Sequence, residues 1–223
     1  MYNVLSNKKF INTKTLFHAF IAATGLVSVP LHILFSPDPI VSITKFTIHS
    51  NIIVALLFTL STFILLLKKK ESRLLNLLKH ASLLYMMLVL LSYHFLLSSG
   101  GEYSGIRVIT NFTLHYLIPI LVLLNWIIFE EKKWQSYTSI LYSLIFPVLY
   151  CLTSLIRGLY DGFYPYFFLN PNEHIPVGVG SYGNVVLFIV GFTFVFIILS
   201  FLITSIDRGI FKYKNRISYK VKI

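Results

Sequence analysis

Ile52-Ile53-Val54-Ala55-Leu56-Leu57-Phe58-Thr59-Leu60-Ser61-Thr62-Phe63-Ile64-Leu65-Leu66-Leu67 is apolar almost without a break, and it decides the fold class. A strand of a membrane barrel would alternate apolar and polar side chains with a period of two, and this run does not. It reads as the body of a helix crossing lipid, where every backbone N–H must find its acceptor within its own segment. A hydrocarbon core of ~30 Å takes about 20 such residues. Working outward from Ile52–Leu67, the chain offers six spans, at roughly 15–35, 46–67, 74–98, 112–129, 137–160 and 184–206. The expected fold is all-α: a polytopic membrane helix bundle of six transmembrane helices, one integral membrane domain over 1–223 with a basic tail at 207–223.

Composition agrees. Of 223 residues 56% are hydrophobic and 12% charged, with a mean hydropathy of +0.77. A soluble domain carries about 25% charged residues, so this chain cannot cover a globular surface with solvated groups. Its 20 Phe and 14 Tyr exclude a disordered chain, because such side chains collapse or insert. One cysteine, Cys151, excludes an intrachain disulfide framework and any multi-cysteine zinc site.

The net charge of +11 takes its meaning from where the cations fall. Lys8, Lys9 and Lys14 precede span 1; Lys68, Lys69, Lys70 and Arg73 lie between spans 2 and 3, with Lys79 in the first turns of span 3 counted to the same side; Lys132 and Lys133 lie between spans 4 and 5. Arg208, Lys212, Lys214, Arg216, Lys220 and Lys222 follow span 6, which leaves only Lys45, Arg107 and Arg157 of the 19 on the opposite face. The positive-inside rule then puts both termini in the cytoplasm of a multi-pass cell-membrane protein. The basic excess is topological, and nucleic acid is not expected as a partner. Pro30 and His32 interrupt the first apolar stretch where a small-residue cleavage site would be needed, so it reads as an uncleaved span.

The outer connections, SSGGEYSGIRVITN between spans 3 and 4 and DGFYPYFFLNPNEHIPVGVGSYG between spans 5 and 6, carry the turn residues of irregular caps. Gly178-Val179-Gly180-Ser181-Tyr182-Gly183 satisfies G-x-G-x-x-G, but no strand precedes it, and the sixth span follows, so it reads as an accidental match.

Polar residues inside the spans carry the functional signal, since buried polar groups in lipid are costly and face the bundle interior or a cavity. Histidines fall in the outer half of four helices: His32, His49, His94 and His115. Helix spacing extends them into stripes: Thr24, Ser28 and His32; Thr47, Ser50 and Asn51; Asn111 and His115; Tyr150, Ser154, Arg157 and Asp161. One outer pocket would collect them. Each also has a plainer reading. A span histidine can be an interhelical hydrogen-bond partner, and a helical Thr hydroxyl usually bonds back to its own helix. Arg157 and Asp161 fit an i,i+4 ion pair. His18 and His80, toward the cytoplasmic side, need only snorkelling or a local bond. Four imidazoles at one height also allow a zinc reading. No two share a helix at i,i+4, however, and neither metal nor cofactor is expected.

Phe46–Asn51 (FTIHSN), Leu114–Pro119 (LHYLIP), Ile156–Gly158 (IRG) and Tyr164–Phe168 (YPYFF) resemble the bacterial branch of the androgen-induced-gene family. The resemblance implies six helices with both termini cytoplasmic. It also implies a threonine hydrolase acting on fatty acid esters of hydroxy fatty acids. The family's intramembrane Thr falls on Thr47, and its His before a Pro falls on His115.

Two functions follow as expectations. In the first, Thr47 attacks an acyl ester with His115 as general base and then acid. Asn51, Asn111 or Tyr150 would donate to the oxyanion, Arg157 would hold a fatty carboxylate, and Ser50, His49, His32 and His94 would line the pocket. In the second, the same pocket serves a non-enzymatic carrier or sensor of an amphipathic ligand. Membrane lipids are partners in both.

Overall fold

The computed structural model describes residues 2–98, 103–132, 136–173 and 177–220, with side chains described from 12 to 217. Among these residues the chain is helical and contains no strand. The helices are α1 (Tyr2–Leu34), α2 (Pro39–Ile43), α3 (Phe46–Leu66), α4 (Arg73–Ser92), α5 (Ile106–Phe112), α6 (Ile118–Ile128), α7 (Ser139–Asp161) and α8 (Tyr182–Lys220). A π-helical segment, Tyr93–Leu97, prolongs α4, and a second, Thr113–Leu117, joins α5 to α6. Six stretches are long and apolar enough to cross a membrane: Asn12–Leu34, Phe46–Leu66, Arg73–Leu97, Ile106–Ile128, Ser139–Asp161 and Tyr182–Ile217.

Three boundaries differ from the sequence reading, the first being that α1 begins at Tyr2 rather than near 15. The fourth span starts at Ile106 rather than near 112. Arg107, Thr110 and Asn111 look like loop residues in sequence, yet Thr110 and Asn111 are buried and bonded to neighbours. The sixth helix runs on through the basic residues to Lys220 instead of ending at 206, because Lys and Arg are good helix formers. The region expected as a separate tail from 207 is thus a continuation of the span. Residues 99–102 and 174–176 of the two expected caps, and the cations Lys133 and Lys222, lie outside the described residues.

The chain gathers into two compact units, Met1–Glu130 and Glu131–Ile223. In the first, α1 crosses α3 at Gly25, where a Cβ would come within 2.8 Å of the Ala55 Cβ, so only glycine permits the approach. Ile21, Val54, Phe58, Met86, Leu114 and Ile118 fill its core. Asp38 accepts from the Val41 N–H at 2.9 Å and, with Pro39 behind it, starts the short α2 that leads into α3.

At the end of this unit that the charge count expects to be the inner one lies a buried ionic network that sequence reading missed. Lys79 donates to Glu71 Oε1 at 2.6 Å and to Glu130 Oε1 at 2.7 Å, and Lys14 donates to Glu71 Oε2 at 2.7 Å. Ser61 adds a hydrogen bond to Glu71. Burial alone would raise the Glu71 carboxyl, but Lys79 and the bonds from Lys14, Lys79 and Ser61 outweigh it and hold it at about 2. His18 does not snorkel. It is fully buried, its ring nitrogens 2.7 Å from Ser61 Oγ and 2.7 Å from Asn125 Oδ1.

In the second unit, α7 and α8 are connected through a 3₁₀ turn, Phe167–Leu169, whose Phe168 stacks on Tyr166 at 4.9 Å and packs on Phe192 at 4.8 Å. The G-x-G-x-x-G stretch closes this loop. Val179 N donates to Asn170 O at 2.8 Å, and a Cβ on Gly178 would run into the Asn170 and Asn172 carbonyls. Large apolar side chains such as Leu141, Leu159, Leu187 and Phe194 stand exposed on α7 and α8, as a lipid-facing surface requires.

Candidate functional site

Pro119 organises the opposite half of the first unit, the one expected to face outward. It has no N–H to give to the fourth span's ladder, and its ring clashes with the carbonyl four residues earlier, that of His115. The helix responds by widening over Thr113–Leu117, where Ile118 N–H reaches back to Thr113 O rather than to Leu114 O. In a π ladder the donor for Leu114 O would be residue 119, which is proline. The Leu114 carbonyl is therefore left to a side chain, and Asn51 Nδ2 of α3 donates to it at 3.2 Å. The same amide donates to Thr47 O at 2.8 Å. One side chain thus ties the turn carrying Thr47 to the residue before His115.

His115 is buried inside the widened turn. Its Nδ1 lies 2.9 Å from Asn111 O. A carbonyl only accepts, so Nδ1 carries the proton, and Nε2 of the neutral ring keeps the lone pair. Tyr93, from the π segment after α4, stacks on the imidazole with centroids 3.9 Å apart. Tyr93 Oη in turn accepts from Asn111 Nδ2 at 2.5 Å. Ring, amide and phenol therefore fix one another in a closed cycle.

His32 sits beside this cycle with its Nδ1 donating to Thr110 Oγ1 at 2.9 Å and its Nε2 accepting from Arg107 Nη2 at 3.4 Å. Tyr103 leans on the ring at 6.2 Å. Ser50 Oγ, Asn51 Oδ1, Asn111 Oδ1 and Arg107 Nε are buried without a hydrogen-bond partner. Several orphaned polar atoms in one region are the mark of a polar site rather than of a finished core.

The expected residues divide as follows. Thr47, Ser50, Asn51, Asn111, His32 and His115 are buried in the outer half of the first unit, and His49 is half-buried there. The Thr47 hydroxyl makes no hydrogen bond to His115, whose Nδ1 is given to Asn111. Asn51 cannot serve an oxyanion as it stands, because its Nδ2 already serves two carbonyls. His94 does not join the pocket. It is exposed, 3.2 Å from Tyr116 Oη, and edge-on to Phe95. Among the described residues no three His, Cys, Asp or Glu side chains gather in a way that could hold a metal ion. Tyr150 and Arg157 belong to the second unit. Tyr150 is buried 6.5 Å from the Tyr166 ring. Arg157 Nε donates to Asp161 Oδ2 at 2.8 Å, and its guanidinium covers Phe163 at 4.4 Å, the plain ion-pair reading.

Sequence reading missed Tyr93, Thr110 and Arg107 as site residues. Tyr93 carried no usable signal; Arg107 did, as one of three cations on the sparsely charged face. Comparison with protein-family models, with curated proteins and with solved structures finds no match for this chain.

Proposed function

We propose that the chain is an intramembrane hydrolase of fatty acyl esters, with both termini in the cytoplasm and with Thr47 and His115 as nucleophile and base. The observation that carries this is the Asn51 bridge, which fixes the Thr47 turn against Leu114, the residue before His115. The tautomer supports it. With Nδ1–H held by Asn111 O, the lone pair of Nε2 is the ring's only basic site. The resemblance of FTIHSN and LHYLIP to the androgen-induced-gene family points to the same pair.

In the reaction, the Thr47 Oγ1 proton passes to His115 Nε2 as Oγ1 bonds to the ester carbonyl carbon. The carbon–alkoxy bond then breaks, and the leaving oxygen takes the proton from Nε2. Water repeats the attack on the acyl-threonine, its proton passing through Nε2 back to Thr47. Catalytic contacts often tighten only with substrate in place, and the reaction requires Thr47 Oγ1 to come within hydrogen-bond reach of His115 Nε2. The second N–H of Asn111 Nδ2 and the Tyr93 hydroxyl proton are the donors that the cycle leaves for an oxyanion. Hydrolysis of a long-chain fatty acyl ester by the purified chain tests the proposal, with Thr47→Ala and His115→Ala each expected to abolish turnover.

The missing Thr47–His115 hydrogen bond favours one rival, a carrier or sensor that binds an amphipathic ligand in the same place without cleaving it. Tight binding of the ester with no turnover would select it.

A further inference from the structure

Lys45 and Arg107 are cations of the outer end of the first unit, and among the described residues neither has a carboxylate. Lys45 precedes α3 in extended conformation, its backbone N–H tied to Ser42 O at 3.2 Å. Its ammonium forms no hydrogen bond or ion pair with any described residue. Arg107, at the start of α5, spends one N–H of Nη2 on His32 and lies over the Tyr103 ring at 5.0 Å, while its Nε is buried without an acceptor. Both are half-buried, and burial first and the Arg107 charge second push the Lys45 ammonium below the ordinary lysine range. Asp38 is turned to its own task, capping α2.

The inner end of the same unit shows what the chain does with cations it keeps for stability. Lys14 and Lys79 each have a carboxylate oxygen within 2.7 Å. Half-buried like charges without a counter-ion are costly, and His32 cannot relieve them, because its Nε2 is already an acceptor for Arg107. The donors on offer suit an oxyanion. Arg107 retains Nε–H and Nη1, a guanidinium edge shaped for two oxygens. Ser42, one turn before Lys45 and 3% exposed, has an Oγ without a partner.

We propose that Lys45 and Arg107 bind the anionic head, carboxylate or phosphate, of the amphipathic molecule that occupies the outer site. The assignment rests on the reading of that site as one for an acyl lipid, and it moves the carboxylate-binding role from Arg157, which has Asp161, to Arg107. In the hydrolase the bound ester would then carry a free acid group besides the scissile bond.

The test uses the full chain in neutral maltoside micelles, with Thr47→Ala in every sample so that binding is read without turnover. Radiolabelled stearic acid and its methyl ester are the probes. The acid is expected to bind about tenfold or more tightly than the ester. Lys45→Met and Arg107→Gln should each remove most of that preference, and Arg107→Lys should keep part of it. Millimolar inorganic phosphate distinguishes the sources. Displacement of stearate marks a site for free anions, and retention marks one that needs the lipid; an anion site stands in both. Equal binding of acid and ester in the Thr47→Ala chain itself, whatever the other variants do, overturns the assignment and leaves the hydrolase proposal standing. Acid preference with no turnover in the wild type would sink the hydrolase and leave the anion site.

Discussion

The Asn51 side-chain amide donates to the Leu114 carbonyl at 3.2 Å, and it can do so because Pro119 supplies no backbone donor to that oxygen. Asn51→Ala orphans a buried carbonyl and should destabilise the chain by about 1–3 kcal/mol. In a Pro119→Ala chain residue 119 regains an N–H that can serve Leu114 O. Adding Asn51→Ala to Pro119→Ala should then cost less than Asn51→Ala alone, and thermal unfolding of the four proteins in detergent measures the coupling. Strict additivity would separate the proline from the asparagine.

Acid should release the inner network. Glu71 is held at about 2, below the ordinary carboxylate value, so its contribution to stability is complete above the unfolded value and is lost as pH falls toward 2. Glu71→Gln removes one partner of a buried set and should cost about 3–5 kcal/mol at neutral pH. The mutant's melting temperature should then depend less on pH between about 5 and 2 than the wild type's. A mutant with the wild-type acid profile would show that other carboxylates control it.

His94 and His32 separate an exposed from an enclosed histidine. His94→Ala should leave stability within about 0.5 kcal/mol, since the ring is exposed. His32→Ala strips partners from Thr110 and Arg107 and should cost about 1–3 kcal/mol. Detergent unfolding curves decide, and a larger loss at position 94 would mean that His94 is enclosed in the folded bundle.

The six spans are legible in sequence because lipid forces long unbroken runs such as Ile52–Leu67, and no tertiary detail is needed to see them. Their ends are less legible. Arg107 and Asn111 look like loop residues until Tyr93, Thr110 and His32 are beside them. Outer polar stripes correctly mark Asn51, Asn111, His32 and His115 as buried, since period 3.6 assigns them a face. Period alone cannot say that the chain widens before Pro119, nor that His94 turns outward. The inner network escaped because Lys14, Glu71, Lys79 and Glu130 sit near span ends, where charges usually snorkel to water.

Orientation is checked on whole cells. With Cys151→Ala as background, a cysteine at exposed Ser104 should react with an impermeant maleimide, and one at exposed Ser72 should react only after lysis. Ser72 labelling in intact cells without Ser104 labelling would invert the proposed topology.

The pairing of Thr47 with His115 is tested most directly by locating a fluorophosphonate adduct by mass spectrometry of the purified wild-type chain. A single adduct on Thr47 is expected, absent from Thr47→Ala and His115→Ala and present at a reduced level in Thr47→Ser. An adduct on Ser50 or another residue, or an unmodified wild-type chain that still binds the ester, would contradict it.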